Sequence, residues 1–192
     1  MSWRIFCSCL IVALVFTSAR AQTTLSLSLS EDSGDQFCLD LSAMYLGDEE
    51  KHLGSQNYRL FYDSQLMQLD PDASISYLPG DDYTFRIVQN RGGVDGSEVG
   101  ILPFDSHLGF INASVIHNSA PADGFRLGTG KIPVRLIRLC FELNASEPGS
   151  VVIARRGLTD GYGRAFTELA AGDKDGTTQS IIIEEYSDFS PR

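Results

Sequence analysis

The feature that most limits how this chain can fold is a series of short alternating runs separated by breaker clusters. "TLSLSLS", "QFCLDLSAMYL", "NYRLFYD", "ASISYL", "YTFRIVQ", "FINASVIH", "KIPVRLIRLCFEL", "SVVIA", "AFTELAA" and "SIIIEEY" follow one another along the chain. Between them stand "EDSGD", "GDEEKHLGS", "PGDD" and similar groups rich in Gly, Asp, Pro and Ser. Period-two alternation sends successive side chains to opposite faces of a strand, so each run has one apolar and one polar side. No window carries a helical stripe of about twelve residues or more. The pattern predicts an all-β fold of two packed antiparallel sheets, with a closed barrel as the alternative. The long stretch "NRGGVDGSEVGILPFDSHLG" reads as irregular and loop-like.

The N-terminus has the layout of an export signal. "MSWR" carries a positive charge, "IFCSCLIVALVF" is apolar, and Ala19 and Ala21 sit where a signal peptidase requires small residues. The apolar run is shorter than the roughly 20 residues of a membrane span. Residues 1–21 are therefore expected as a signal peptide. Residues 22–192 are expected as one β-sandwich domain, with its core over 24–186 and a short tail over 187–192. Losing residues 1–21 removes Arg4 and Arg20 and no acid, so the net charge of −10 becomes −12. So acidic a chain repels phosphate backbones, which makes nucleic acid an unfavourable partner. No later segment is apolar and long enough to span a membrane, and the expected destination is extracellular or periplasmic.

Cys38 and Cys140 remain in the mature chain. Export favours oxidation of such a pair. Alternation puts both on the more polar side of their strands, Cys38 with Asp40 and Ser42, Cys140 with Arg138 and Glu142. A bridge forms if the two strands are neighbours, and otherwise they stay separate thiols. Their spacing lacks the paired Cys or Cys/His pattern of a metal site.

In "NYRLFYD", Tyr58, Leu60 and Tyr62 share one face, and Asn57, Arg59 and Phe61 share the other. The aromatic row suits a sandwich core, and the Asp63 side chain can close the turn before "QLMQLD". A strand ending in Tyr-Asp and leading into a short Leu-containing strand resembles the cohesin-like modules of secreted bacterial proteins, and the related carbohydrate-binding-module-like sandwiches. "KIPVRLIRLCFEL" is similar to that family's long late core strand and "QFCLDLSAMYL" to its second strand. The resemblance implies a jelly-roll, cohesin-like sandwich in which those two strands adjoin, which would allow a Cys38–Cys140 disulfide. It also implies recognition of a protein or a polysaccharide more than catalysis.

The candidate binding face is the outward row Asn57, Arg59 and Phe61 with Thr84, Arg86 and Val88. Its arginines can pair with a partner's carboxylates. The reading is a secreted, non-catalytic module that binds another extracellular or envelope protein. The alternative is a carbohydrate-binding module, with Tyr45, Tyr77 and Tyr83 as sugar-stacking residues. "GDKDGTTQS" offers Asp173 and Asp175 as weak calcium ligands, but Ala171 and Ile182 stand where a helix-loop-helix calcium loop needs acids, so a hairpin turn is the better reading. "GDDYT" and "GGVDGSE" read as turns, and neither spacing identifies a metal or a phosphate loop. His52, His107 and His117 lie in unrelated contexts, and no Gly-x-Ser-x-Gly elbow occurs. No cofactor is implied. Asn112-Ala113-Ser114 and Asn144-Ala145-Ser146 match the glycosylation sequon.

Overall fold

The computed structural model describes residues 22–33, 36–69, 75–77, 79–80, 82–94, 108–155, 167–172 and 178–190. The first strands are β1 (Gln22–Asp32), β2 (Gln36–Tyr45), β3 (Lys51–Asp63), β4 (Met67–Leu69), β5 (Ile75–Tyr77) and β6 (Tyr83–Val94). They are followed by β7 (Leu108–His117), β8 (Phe125–Leu127), β9 (Val134–Leu143), β10 (Val151–Ile153), β11 (Glu168–Gly172) and β12 (Thr178–Ser187). One sheet runs β4-β9-β2-β1-β12, with β5 also on β9, and the other runs β12-β11-β3-β7-β6, with β8 and β10 also on β3. β12 belongs to both, pairing antiparallel with β11 through Ile181 and parallel with β1 from Ile182 onward. Among the described residues β4 and β6 do not pair with each other, so the layers form a sandwich and not a closed barrel.

The inward faces follow the alternation. Tyr58, Leu60 and Tyr62 of β3 are buried, as are Phe37, Leu39 and Leu41 of β2 and Ile137, Leu139 and Phe141 of β9. Each fully buried leucine contributes about 2 kcal/mol from area removed from water. The Tyr62 and Phe141 rings meet across the two layers with centroids 5.4 Å apart. Gly109, which pairs with Tyr62 on β7, makes room for that ring, because a Cβ there would lie 2.5 Å from it. Tyr58 and Tyr77 both donate to Oε1 of buried Gln56 at 2.8 Å, tying β5 of one sheet to β3 of the other. Asp63 Oδ1 accepts from the Gln65 amide at 2.9 Å and closes the turn into β4.

Two strands run further than the sequence reading gave them. β3 starts at Lys51 and not after the polar cluster, because β8 and β11 flank its first half and Leu53 faces the core. β6 runs on through Asn90–Val94, with a register break against β7 that absorbs the two glycines. Within the expected tail over 187–192, Phe189 packs on the body of the domain. Phe189 exchanges two backbone hydrogen bonds with Val151, both 2.9 Å, and its ring lies 5.0 Å from Phe37.

Cys38 and Cys140 stand directly opposite each other on β2 and β9 and form a disulfide. It joins positions 102 residues apart, and fixing so long a loop in the unfolded chain stabilises the fold by about 4–5 kcal/mol in the chain-entropy model. The Cys38→Ser/Cys140→Ser double variant is expected to lose stability on that scale. A lower denaturant midpoint with an altered slope would accompany the loss, measured by tryptophan-independent circular dichroism.

Candidate functional site

The two outer faces of the sandwich differ. On the β2–β9 sheet, Asp40 faces Ser28 on one side and Arg138 on the other. Arg138 donates from Nε to Oδ1 at 2.9 Å and from its terminal nitrogen to Oδ2 at 3.3 Å, and Arg135 reaches Oδ2 at 3.5 Å. The arginines cover the carboxylate until it is 4 % exposed. The hydrogen bond from Arg138 is the main cause that holds the Asp40 carboxyl below its ordinary range, with burial opposing it. The disulfide is the next cross-strand pair on this face, two residues along. This face is crosslinked and internally paired.

The outer face of the β3 sheet is divided along its length. Arg59 and Phe61 pair with Asn112 and Phe110 of β7. The Arg59 guanidinium lies over the Phe110 ring at 3.7 Å, in the geometry of a cation–π contact. Arg59 is 5 % exposed and Phe61 1 %. Burial lowers the Arg59 pKa from its usual value. The sequence expectation placed both residues on an accessible binding face, and the structure corrects that. They do point outward from the sheet, as alternation requires, yet both are covered and unavailable to a partner.

The other half of the face is open. Glu168 of β11, Asn57 of β3, Ser114 of β7 and Arg86 of β6 form one cross-strand row. An acid stands at one end of the row and a base at the other. Ser114 donates to Asn57 Oδ1 at 3.4 Å, and Arg86 and Glu168 are exposed. In the next row Ile116 pairs with Thr84, whose hydroxyl bonds the Asn118 side chain. Ile116 is 50 % exposed, an aliphatic side chain standing on a polar sheet. A cavity of about 470 Å³ runs beside it, lined by Ser55, Asn57, Ser114, Glu168 and Ala170 among others. Of the sequence-predicted residues, Asn57, Thr84 and Arg86 thus come together here. Ser55, Ser114, Ile116 and Glu168 were missed. The outward phase of Ser114, Ile116 and Glu168 was legible in "FINASVIH" and "FTELAA", but the register that sets them beside Asn57 was not.

The remaining candidates have other places. Tyr45 is 3 % exposed, whereas Tyr77 and Tyr83 are half-buried at the edge of the core and pack on each other with ring centroids 5.1 Å apart. Burial pushes the Tyr77 phenol well above its ordinary pKa. His52 is held between the Gly124 carbonyl and Glu50, and His117 packs against the Tyr83 ring. Asn144 is exposed in the connection after β9, whereas Asn112 lies mid-strand and half-buried. Asp173, Asp175 and His107 lie outside the described residues. β11 and β12 pair as consecutive strands with Gly172 opposite Thr178, which is the hairpin expected around "GDKDGTTQS".

No protein-family model matches the chain, and no curated protein matches it. Among solved structures it is similar to the seventh ScaB type I cohesin from Pseudobacteroides cellulosolvens, at 11% identity over 87% of this chain and 88% of that one, with a TM-score of 0.47. It is also similar to the sixth cohesin of scaffoldin B from Acetivibrio cellulolyticus, solved with a Cel5 dockerin, at 10% identity, 86% and 98% coverage and a TM-score of 0.47. A third is the cohesin module of a family 33 glycoside hydrolase from Clostridium perfringens, at 15% identity, 86% and 98% coverage and a TM-score of 0.43. The likeness is one of overall sandwich shape, and no residue role is transferred from it.

The Asp40 pair has a pH signature. Its folded pKa is depressed, so the stabilisation is complete above the ordinary carboxylate value near 4 and is lost as pH falls through the lower folded value. Asp40→Asn is expected to flatten that part of the acid limb of stability. It should also cost about 1–3 kcal/mol at neutral pH by removing charge-assisted hydrogen bonds. Urea titrations between about pH 2 and 7 measure both.

Proposed function

We propose that this chain is an exported, non-catalytic recognition module, and that the open half of the β3 sheet binds another extracellular or envelope protein. The observation that carries the reading is the exposed Ile116 set among Asn57, Thr84, Arg86, Ser114 and Glu168. An aliphatic centre ringed by polar and charged groups is the anatomy of a protein interface, with the apolar residue as anchor and the rim as the source of specificity. The strands beneath make the platform rigid, since their backbone groups are paired across β11-β3-β7-β6. Arg86 at one end and Glu168 at the other give the row a direction, so a partner of matching charge order docks in one orientation. The N-terminal signal supports export, and the Cys38–Cys140 bond suits an oxidising compartment. Of the tyrosines that a polysaccharide reading required, Tyr45 is buried and Tyr77 and Tyr83 are half-buried with their rings on each other, so the protein partner is the better supported of the two.

The test is a capture experiment from extracellular and envelope fractions, with a panel of dockerins as one arm and a photo-crosslinker placed at Thr84. Ile116→Asp is expected to weaken capture at least tenfold, and Arg86→Glu by a smaller factor that shrinks at high salt. The crosslink should fall on the same captured protein. Capture that both variants leave unchanged removes this face from the function.

A further inference from the structure

The two ends of the sandwich carry features that complement each other. At the end where β1 finishes and β2 begins, a cavity of about 440 Å³ opens between the layers. Leu29, Phe37, Pro148 and Phe189 form its apolar walls, and Asp32 and Glu147 line it as the acids. Leu29 is 51 % exposed although it continues the inward row of Leu25 and Leu27. The Phe189 ring, held by the bridge to Val151, caps Phe37 and fixes the far wall.

At the opposite end, immediately before β9, stands Lys131-Ile132-Pro133. Ile132 is 67 % exposed, more than any other large hydrophobic residue among those described. Lys131 holds a φ of 55°, a left-handed conformation that is costly for a residue with a Cβ. Glycines at 128 and 130 precede it. β9 separates this projection from Glu147, and its ten residues span about 30 Å.

We infer that Lys131–Ile132 of one molecule inserts into the Leu29–Phe189 cavity of another, so that the chain assembles head to tail with itself. Ile132 supplies the aliphatic filling that the apolar walls lack, and the Lys131 ammonium meets Asp32 and Glu147. The contact sets a basic, apolar segment against an acidic rim, a favourable charge match in a molecule with 25 acidic and 15 basic residues. Knob and socket lie at opposite ends, so the contact is heterologous. It leaves a free knob and a free socket on every dimer, and the result is a ring or a filament rather than a closed pair. The β3 sheet face takes no part, so this assembly stands independently of the proposed function.

The exported chain, purified from an exporting host, is examined by sedimentation at micromolar to millimolar concentrations. The weight-average mass is expected to rise past that of a dimer, whereas Ile132→Asp and Leu29→Asp each stay monomeric. An equimolar mixture of those two variants should reach twice the monomer mass and stop, because one intact knob and one intact socket remain. Lys131→Glu should weaken assembly at least tenfold, and combining it with Asp32→Lys and Glu147→Lys should restore it. Ile116→Asp should leave it unchanged. Circular dichroism confirms that each variant is folded; all the altered side chains are exposed. A wild-type chain that stays monomeric throughout overturns the inference, and so does a mixture that fails to pair or a charge reversal that fails to rescue.

Discussion

The contact between the β3 row and the β2–β9 row holds the two layers in register, and most other features follow from it. Tyr58, Leu60 and Tyr62 press on Phe37, Leu39 and Phe141, with Tyr62 and Phe141 ring against ring. β3 can serve this way because it is flanked along its length by β11 and β10 on one side and β8 and β7 on the other. A strand paired on both edges has no free backbone groups to solvate, so its inward side chains are held at fixed heights. The hydrogen bonds from Tyr58 and Tyr77 to Gln56 then pin one layer to the other at a point where apolar contact alone would permit sliding.

With the inward faces committed, function is left to the outer faces and the ends. The β2–β9 face is spent on stability: a disulfide and a carboxylate held by two arginines sit side by side. The β3 face divides at Arg59. Toward Phe61 and Phe110 it is dry, with the guanidinium resting on an aromatic ring. Toward Ser114 and Ile116 it is open and polar. The same strand thus supports a closed half and an accessible half, and the boundary is set by what covers each residue rather than by its direction.

The ends differ because the layers close unequally. At one end Phe189 closes over Phe37, and Leu29 and Pro148 line a cavity beside the two rings. At the other, the approach to β9 leaves Lys131 and Ile132 exposed. A sandwich with an unfilled slot at one end and an uncovered aliphatic residue at the other has not buried all the apolar surface it could. Apolar surface rimmed by charge in this way is typical of surfaces that meet a partner.

Alternation in the sequence was enough to place most of the strands and the residues of their inward rows, though not the short β8. "NYRLFYD" yields Tyr58, Leu60 and Tyr62 as core, and "QFCLDLSAMYL" places Cys38 beside Asp40 on the other side, because a pleated chain must alternate. Turn chemistry was equally legible at Asp63, where a carboxylate two residues ahead of an amide can cap it. Register was not legible. Nothing local says that Ser114 lies beside Asn57, that Cys38 lies opposite Cys140, or that β3 begins at Lys51, since strand pairing is decided by partners distant along the chain. Covering was not legible either: Arg59 and Arg86 share a face and a charge, yet one is buried on Phe110 and the other meets solvent. Direction is a property of the local backbone, and exposure depends on every layer that packs above it, so only the tertiary structure could separate them.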